Sequence, residues 1–190
     1  AGVLVARHYG AKDDTALRRA VHTTVALGIT AGVVLSVVGV LLTPQILRWM
    51  DTPENVLPNS IIYFRVYFMG SLAVVMYNMG ASILQSVGDS RSPMRYLITA
   101  SILNVILDLW FIAGLHMGVG GAAFATIISQ TVSAGLAFRK LTLTKEAYGV
   151  RWRQVRFHPA TLRAVVAQGV PSGVQNSVIS IANVIVQANI

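Results

Sequence analysis

Long stretches without Asp, Glu, Lys or Arg dominate the chain. One of 28 residues follows Arg19, and one of 23 follows Arg65. A third covers 96–138, with Asp108 as its one charged residue, and a fourth covers 164–190. A helix needs about 20 apolar residues to cross the hydrocarbon core of a bilayer. The pattern therefore predicts membrane-spanning helices joined by short polar segments.

The third stretch is too long for one span and suits two. Its middle reads GLHMGVGG at 114–121, and such a run of glycines is typical of a turn. Residues 1–6 fit the end of an earlier span. The sequence thus predicts an all-α polytopic membrane protein with five further spans, at 21–47, 62–86, 94–114, 119–138 and 162–190.

The composition agrees with this fold class. Hydrophobic residues make up 54% of the 190 residues and charged residues only 12%, whereas a soluble domain carries about 25% charged residues. Cysteine is absent, which excludes a disulfide framework and thiolate chemistry. The sequence does not begin with Met and it ends inside an apolar run, so we expect it to be an internal segment of a longer protein.

The net charge of +8 is distributed unequally between the two sides of the predicted bundle. The loops 7–19, 86–95 and 139–163, here called the three basic loops, hold four, two and seven of the 15 Lys and Arg residues. The opposite side holds Arg48 and Arg65. Because cytoplasmic loops carry excess Lys and Arg, we predict that the basic loops are cytoplasmic and that the protein is multi-pass in the cell membrane. The predicted partner is then the lipid bilayer. The net charge of +8 is explained without binding to nucleic acid.

Asp108 is the one acidic residue deep within a predicted span. A charged residue at the bilayer centre costs about 2.5–3.5 kcal/mol on insertion scales, so it usually has a function. Asn104 and Ser101 precede it at spacings that place all three on one helix face. Because burial disfavours a charged carboxylate, we predict that Asp108 binds a proton or a cation beside Asn104. The alternative is an Asp that hydrogen-bonds neighbouring helices purely for packing.

Other spans also carry one polar face each, which should point into the bundle or toward a water-filled cavity. These faces are formed by Ser71, Asn78, Ser82 and Gln85, by Thr126, Ser129, Gln130 and Ser133, and by Asn176, Ser180, Asn183 and Gln187. Five polar residues are candidates for lining a substrate cavity: Ser101, Gln85, Gln130, Asn176 and Asn183. Taken alone, Asn78 and Thr126 are more typical of interhelical packing.

The remaining singular residues have structural interpretations. We expect Gly28 and Gly32 to mediate close helix packing. We expect His22, His116 and His158 to be solvated residues near span ends rather than ligands. The sequence contains no constellation of metal ligands, nucleophile or acid–base groups, so we predict a protein that is not an enzyme and that holds no metal and no cofactor.

Several stretches resemble the multidrug and toxic compound extrusion (MATE) family. They are LQSVGDSRSP at 84–93, SILNVILD at 101–108 and GVGGAAFATIISQ at 118–130, with weaker similarity in ARHYGAK at 6–12 and GVPSG at 169–173. The resemblance implies a bundle of two pseudo-symmetric lobes. Residues 1–138 would then be part of the N-terminal lobe, 139–161 the cytoplasmic linker between lobes, and 162–190 the start of the C-terminal lobe.

The resemblance also implies a coupling site. Asn104 and Asp108 match an Asn–Asp pair on the fifth span of the family, and Asn78 and Thr126 fall at the places of an Asn and a Thr in the same network. An Asp on the first span, which completes that network, lies outside this sequence. Residues 164–190 contain no carboxylate, unlike family members that bind cations with a Glu on the seventh span.

The function that follows is antiport: export of cationic or amphipathic drugs in exchange for H⁺ or Na⁺, by a protein that is monomeric at full length. Two alternatives stay open. A lipid-linked oligosaccharide flippase of the same superfamily would need basic residues inside the spans, and none lies deep in a span here. A non-transporting membrane scaffold would lack an interior carboxylate.

Overall fold

A computed structural model of the protein describes residues 2–50 and 53–188, and this part of the chain is helical without a β-strand. The helices are α1 (Gly2–Gly10), α2 (Asp14–Trp49), α3 (Leu57–Met69), α4 (Ser71–Ser86), α5 (Arg91–Asp108), α6 (Gly118–Leu143) and α7 (Pro159–Ala188). A π-helical segment, Leu109–Gly114, continues α5, and a 3₁₀ turn, Trp152–Gln154, precedes α7. The all-α prediction is confirmed.

Four of the five predicted spans correspond to helices that can cross a bilayer. Judged by length and composition, α2, α5 with its π-helical continuation, and α6 each suffice, and α3 and α4 suffice together as a pair bent by 41°. α7 covers most of the fifth predicted span, yet within the described residues it is not one of the helices that qualify as membrane-spanning. Gln, Asn and Ser recur along α7 and lower its hydropathy.

The apolar surface of α2 is consistent with contact to lipid. Between Val33 and Leu42 most large apolar side chains are exposed, and the exposed fraction of Leu41 reaches 69%. The buried core lies nearer the start of α2, where Leu17 and Val21 pack with Ile83 of α4. A bilayer would cover the exposed stretch, since it solvates apolar side chains as well as a protein interior does.

Two glycines allow α2 to pack closely against α4. A Cβ atom at Gly28 would lie 2.8 Å from Cγ of Met79, and one at Gly32 would lie 2.7 Å from Cδ1 and 3.0 Å from Cα of Leu72. Close packing of this kind is a main source of helix association in membranes, where the hydrophobic effect between helices is absent. The predicted packing role of Gly28 and Gly32 is confirmed.

The predicted span at 62–86 is bent at Gly70, which the sequence pattern did not indicate. A Cβ atom at Gly70 would lie 2.3 Å from Cγ1 of Ile127, so α6 passes directly over the backbone there. Across the bend, the hydroxyl of Ser36 donates to the carbonyl oxygen of Phe68 at 2.8 Å and lies 2.9 Å from the hydroxyl of Ser71. The bend therefore has an identifiable cause, a side chain that bonds a carbonyl freed from the helix ladder.

Replacing Ser36 with Ala should destabilise the full-length protein by about 1 kcal/mol, because the carbonyl of Phe68 loses its side-chain donor in a region without water. Thermal unfolding in detergent measures the effect. Thr99→Ala is the matched control, since the Thr99 hydroxyl bonds only the carbonyl of Arg95 in its own helix at 2.9 Å. Equal midpoints for the two variants would show that the bend does not depend on Ser36.

The three basic loops meet at one end of the bundle. The ring of Tyr9 contacts that of Tyr148 edge to face, with centroids 6.2 Å apart. Lys140 forms a salt bridge with Asp89, and its ammonium also donates to the hydroxyl of Ser92 at 2.6 Å. These contacts join the first loop to the third and the second to the third. The grouping of the loops on one side, predicted from alternating spans, is therefore observed.

The prediction of a solvated His22 is wrong. Its side chain is 2% exposed, and its Nδ1 lies 2.7 Å from the carbonyl oxygen of Arg18 while its Nε2 accepts from the backbone N–H of Arg151 at 3.1 Å. His158 is half-buried, with its Nδ1 3.2 Å from the hydroxyl of Thr23. The segment between α6 and α7 folds back over α2, so these two histidines hold it in place.

The Asp89–Lys140 pair gives this end a defined response to pH. Burial acts to raise the pKa of Asp89, but hydrogen bonds from Lys140 and Ser92 outweigh it and the pKa lies below its ordinary value. The hydrogen bond to Asp89 raises the pKa of Lys140. The stability from Asp89 is therefore present above the unfolded pKa of about 3.9 and lost as pH falls through the folded pKa, whereas that from Lys140 is lost only as pH rises above about 10.4.

Replacing Asp89 with Asn should lower the unfolding midpoint near neutral pH by the equivalent of about 1 kcal/mol or less, as expected of a partly exposed pair. The difference from the unaltered protein should shrink in acid, where the carboxyl group of Asp89 becomes protonated and the ion pair is lost. Unfolding midpoints of both proteins between about pH 3 and pH 8 measure this. A difference that stays constant across that range would contradict the assignment.

Candidate functional site

The polar faces of α5 and α6 pack against each other and enclose a small cavity. Its volume is about 80 Å³. It is lined by Leu97, Ala100, Ser101, Asn104, Thr126, Ser129 and Gln130. The spacing of its α5 residues is that of one helix face, and Ala100 is small enough to let α6 approach. The structure therefore brings together Asn104, Thr126, Ser101 and Gln130, four of the residues predicted from sequence.

Two side chains of this cavity hold buried polar atoms without a described partner. They are Nδ2 of Asn104, a donor, and Oε1 of Gln130, an acceptor, on facing helices. A buried polar atom without a partner costs about 1–3 kcal/mol, so such atoms mark a place where water, an ion or a polar group is expected. The cavity is large enough for a water molecule and supplies several polar partners for it.

The two hydroxyl groups of the α6 wall keep their acceptor capacity free. Thr126 donates to the carbonyl oxygen of Ala122 at 3.0 Å, and Ser129 donates to that of Ala125 at 2.8 Å. A hydroxyl group has one hydrogen to donate and two lone pairs. Both oxygens can therefore accept from a bound water or contribute to a cation, but neither donates to a further group in this arrangement.

Asp108 ends α5 one turn beyond Asn104 and lies at the change to the π-helical segment. It does not line the cavity, yet its Oδ1 is buried and has no hydrogen-bond partner in the described structure. π-Helical segments are frequent at functional sites. The π-helical segment is followed by the predicted turn. In this turn His116 is exposed, as expected, and Gly118 adopts a left-handed φ of 58°.

The structure does not join Asn78 to the α5–α6 cavity. The Asn78 side chain is exposed on α4, and its Nδ2 donates to the carbonyl oxygen of Val74 in the same helix at 2.9 Å. Gln85 is likewise exposed on α4. Asn176 is exposed on α7, and the side chain of Asn183 lies outside the described part. None of these four lines the cavity.

The described residues contain no group of three or more His, Cys, Asp or Glu that could hold a metal ion. Sequence reasoning had placed Ser129 on the polar face of its span without selecting it as a site residue, although it lines the cavity and is 3% exposed. Its position three residues after Thr126 was the signal that could have selected it. The cavity can hold a small polar species, and Asp108 lies one helical turn beyond Asn104 of its wall.

Comparison with known proteins identifies the family. The MatE family matches residues 1–110. A "Probable multidrug resistance protein YoeA" of Bacillus subtilis is 31% identical over 97% of this chain and 41% of its own length. An "FAD transporter" of Shewanella oneidensis is 28% identical over 81% of this chain and 35% of its own length.

A solved structure agrees with the sequence matches. The structure described as the inward-facing conformation of a multidrug resistance MATE family transporter of the MOP superfamily has a TM-score of 0.81 and 29% identity. The match covers 90% of this chain and 39% of that one. The chain thus spans about two fifths of the length of the proteins it resembles. It belongs to the multidrug and toxic compound extrusion family of membrane transporters.

Proposed function

We propose that this chain is part of a secondary active transporter that exports small lipophilic cations in exchange for H⁺ or Na⁺. The observation that carries the proposal is the incomplete hydrogen bonding of the α5–α6 polar cluster, in which Asn104, Asp108 and Gln130 each keep a buried atom without a partner. A purely structural network would pair these atoms, because unpaired polar groups are costly where water is excluded.

In this proposal the coupling ion binds an acceptor: a proton or Na⁺ at the Oδ1 of Asp108 neutralises the carboxylate. The Nδ2 donor of Asn104 needs an acceptor instead, and a water molecule in the cavity can supply it. The oxygen of Gln130 and the free lone pairs of Thr126 offer further acceptors across the cavity. Neutralisation changes the hydrogen bonding between α5 and α6, which is how a bound ion can favour one packing of these helices over another.

Ion binding drives transport only if the two conformations of the full-length protein bind the ion with different affinity. The π-helical segment after Asp108 is a site where such a difference can arise, since a small change in helix register moves the carboxylate relative to α6. The cationic cargo is the one that the family resemblance implies, and in this proposal Asp108 is required for binding of the coupling ion and not for the path of the cargo. FAD, the cargo in the name of the Shewanella oneidensis relative, is the alternative to a cationic cargo.

Efflux of a fluorescent cationic dye from pump-deficient cells tests the function. Cells that express the full-length gene should export the dye faster than cells with an empty vector. A protonophore should abolish the difference if H⁺ is the coupling ion, and removal of external Na⁺ should abolish it if Na⁺ is. Export that survives both treatments would contradict ion coupling. Absence of dye export, with export of a flavin dinucleotide instead, would contradict the cationic cargo.

The basic loops, in this proposal, face the cytoplasm of the cell that expresses the protein. Their gathering at one end supports a common side, and their excess of Lys and Arg supports the cytoplasmic one. The functional unit of the full-length protein is proposed to be the monomer.

A further inference from the structure

A second cavity lies at the basic end, between the start of α2 and the segment that precedes α7. Its volume is about 360 Å³, within the range of about 300–1,000 Å³ that small-molecule sites occupy. Its wall is formed by Thr15, Arg18, Arg19, His22, Arg153, Gln154, Arg156 and His158. Four arginines and two histidines thus line one space, and no Asp or Glu is among its lining residues.

None of the four arginines of this basic pocket forms a salt bridge in the described structure, where the one salt bridge is that of Lys140 with Asp89. The carboxylate of Asp13, close to the pocket along the chain, accepts from the backbone N–H of Ala16 at 3.0 Å and caps α2. Like charges held around one cavity repel each other, and an anion in the cavity would remove this cost.

The pocket wall is held in place before any ligand arrives. The ring of His22 bonds the backbone at both nitrogens, and the hydroxyl of Thr23 accepts from the backbone N–H of His158 at 3.3 Å. These bonds fix the segment with Arg153 and Arg156 against the α2 turn with Arg18 and Arg19. A preformed site loses less conformational freedom on binding than a flexible one.

The positive potential of the pocket is reflected in His158. Burial lowers its pKa below the ordinary histidine value, and the charges of Arg156 and Arg19 lower it further. The first turn of α2, which contributes Thr15, carries the partial positive charge of a helix N-terminus, and the carboxylates of Asp13 and Asp14 offset that charge. Trp152 and Phe157, which neighbour the pocket residues along the chain, are exposed, and aromatic side chains of this kind favour the membrane interface.

We propose that the basic pocket binds a phosphate group, carried by the headgroup of an anionic lipid or by a soluble phosphate ester. Guanidinium groups match phosphate oxygens with paired hydrogen bonds. The four arginines of the pocket can supply more hydrogen-bond donors than one phosphodiester group can accept. The site lies outside the α5–α6 cavity and does not depend on transport activity. Its function is additional to the one proposed above.

Thermal unfolding of the full-length protein in detergent tests the proposal, because a ligand of the folded state raises the unfolding midpoint. The probes are sodium phosphate at constant ionic strength, and short-chain phosphatidylglycerol compared with short-chain phosphatidylcholine. The pocket variant carries Arg19→Gln and Arg153→Gln. The control variant carries Arg91→Gln and Arg139→Gln, which remove the same charge from the same end without lining the pocket.

The unaltered protein and the control variant should be stabilised by at least one probe, and the pocket variant should bind that probe about tenfold more weakly or worse, as expected when two charge-assisted contacts are lost. A response to phosphate without lipid identifies a soluble ester, and a response to phosphatidylglycerol alone identifies a lipid headgroup. Equal weakening in both variants, or no response of the unaltered protein to any probe, would overturn the proposal. If the double variant fails to fold, Arg156→Gln alone carries the same comparison.

Discussion

Replacing Asp108 with Asn is expected to reduce dye efflux by the full-length protein to the level of cells that lack it. The amide keeps the shape of the side chain but cannot take up a proton, and it binds Na⁺ without charge compensation. The two conformations of the transporter then no longer differ in their affinity for the ion, so an ion gradient cannot drive the change between them. Efflux measured at equal membrane levels of both proteins shows the effect.

Glu54→Gln is the matched control for this experiment, since it makes the same acid-to-amide change on an exposed residue before α3. Its efflux should equal that of the unaltered protein. The unfolding midpoint of Asp108→Asn separates a coupling defect from misfolding, because a packing role of Asp108 would lower it. Full dye efflux by Asp108→Asn would assign the carboxylate to packing alone.

Replacing Gly32 with Ala should lower the stability of the protein, because the new methyl group meets backbone as well as side-chain atoms of α4. The added Cβ would meet Cα of Leu72 at 3.0 Å as well as its side chain. A change of the Leu72 rotamer cannot relieve the contact with Cα, so α2 and α4 must move apart. Overpacking of this kind costs about 1–3 kcal/mol, and it opposes the gain of about 0.5–1 kcal/mol that Gly→Ala brings to a helix interior. The unfolding midpoint of the full-length protein in detergent measures the sum.

Gly135→Ala on α6 is the control, because a Cβ atom there meets nothing within 4 Å. It should leave the midpoint unchanged or raise it through helix propensity alone. If Gly32→Ala behaved like Gly135→Ala, the close contact between α2 and α4 would not contribute to the stability of the protein. The comparison thus separates the effect of the close contact between α2 and α4 from the effect of helix propensity.

The positions of four of the five spans could be predicted because charges are excluded from the bilayer and their spacing is visible in the sequence. The grouping of the basic loops followed from the same count. The bend at Gly70 could not be predicted, since it depends on Ser36 and Ile127, which are distant along the chain. The burial of His22 was missed for the same reason: its partner Arg151 lies on a segment with no periodic pattern.

The site was predicted where one helix face carries it and missed where the arrangement depends on packing. Spacing alone placed Ser101 and Asn104 on one face of α5, and Thr126 and Gln130 on one face of α6. That these two faces pack against each other depends on the tertiary structure, which helical spacing does not reveal. Asn78 was included by resemblance, and its side chain bonds its own helix instead. The Asp on the first span that the resemblance implies lies outside this sequence.

The most direct test of the account uses the full-length protein reconstituted in vesicles, unaltered or with Asp108→Asn. Dye movement is measured once under an imposed H⁺ or Na⁺ gradient and once as exchange between equal dye concentrations without a gradient. The account predicts that Asp108→Asn loses gradient-driven movement and keeps exchange, because it removes ion coupling and leaves the path for the cargo. Gradient-driven movement at the unaltered rate in Asp108→Asn would contradict the assignment of coupling to the α5–α6 cluster.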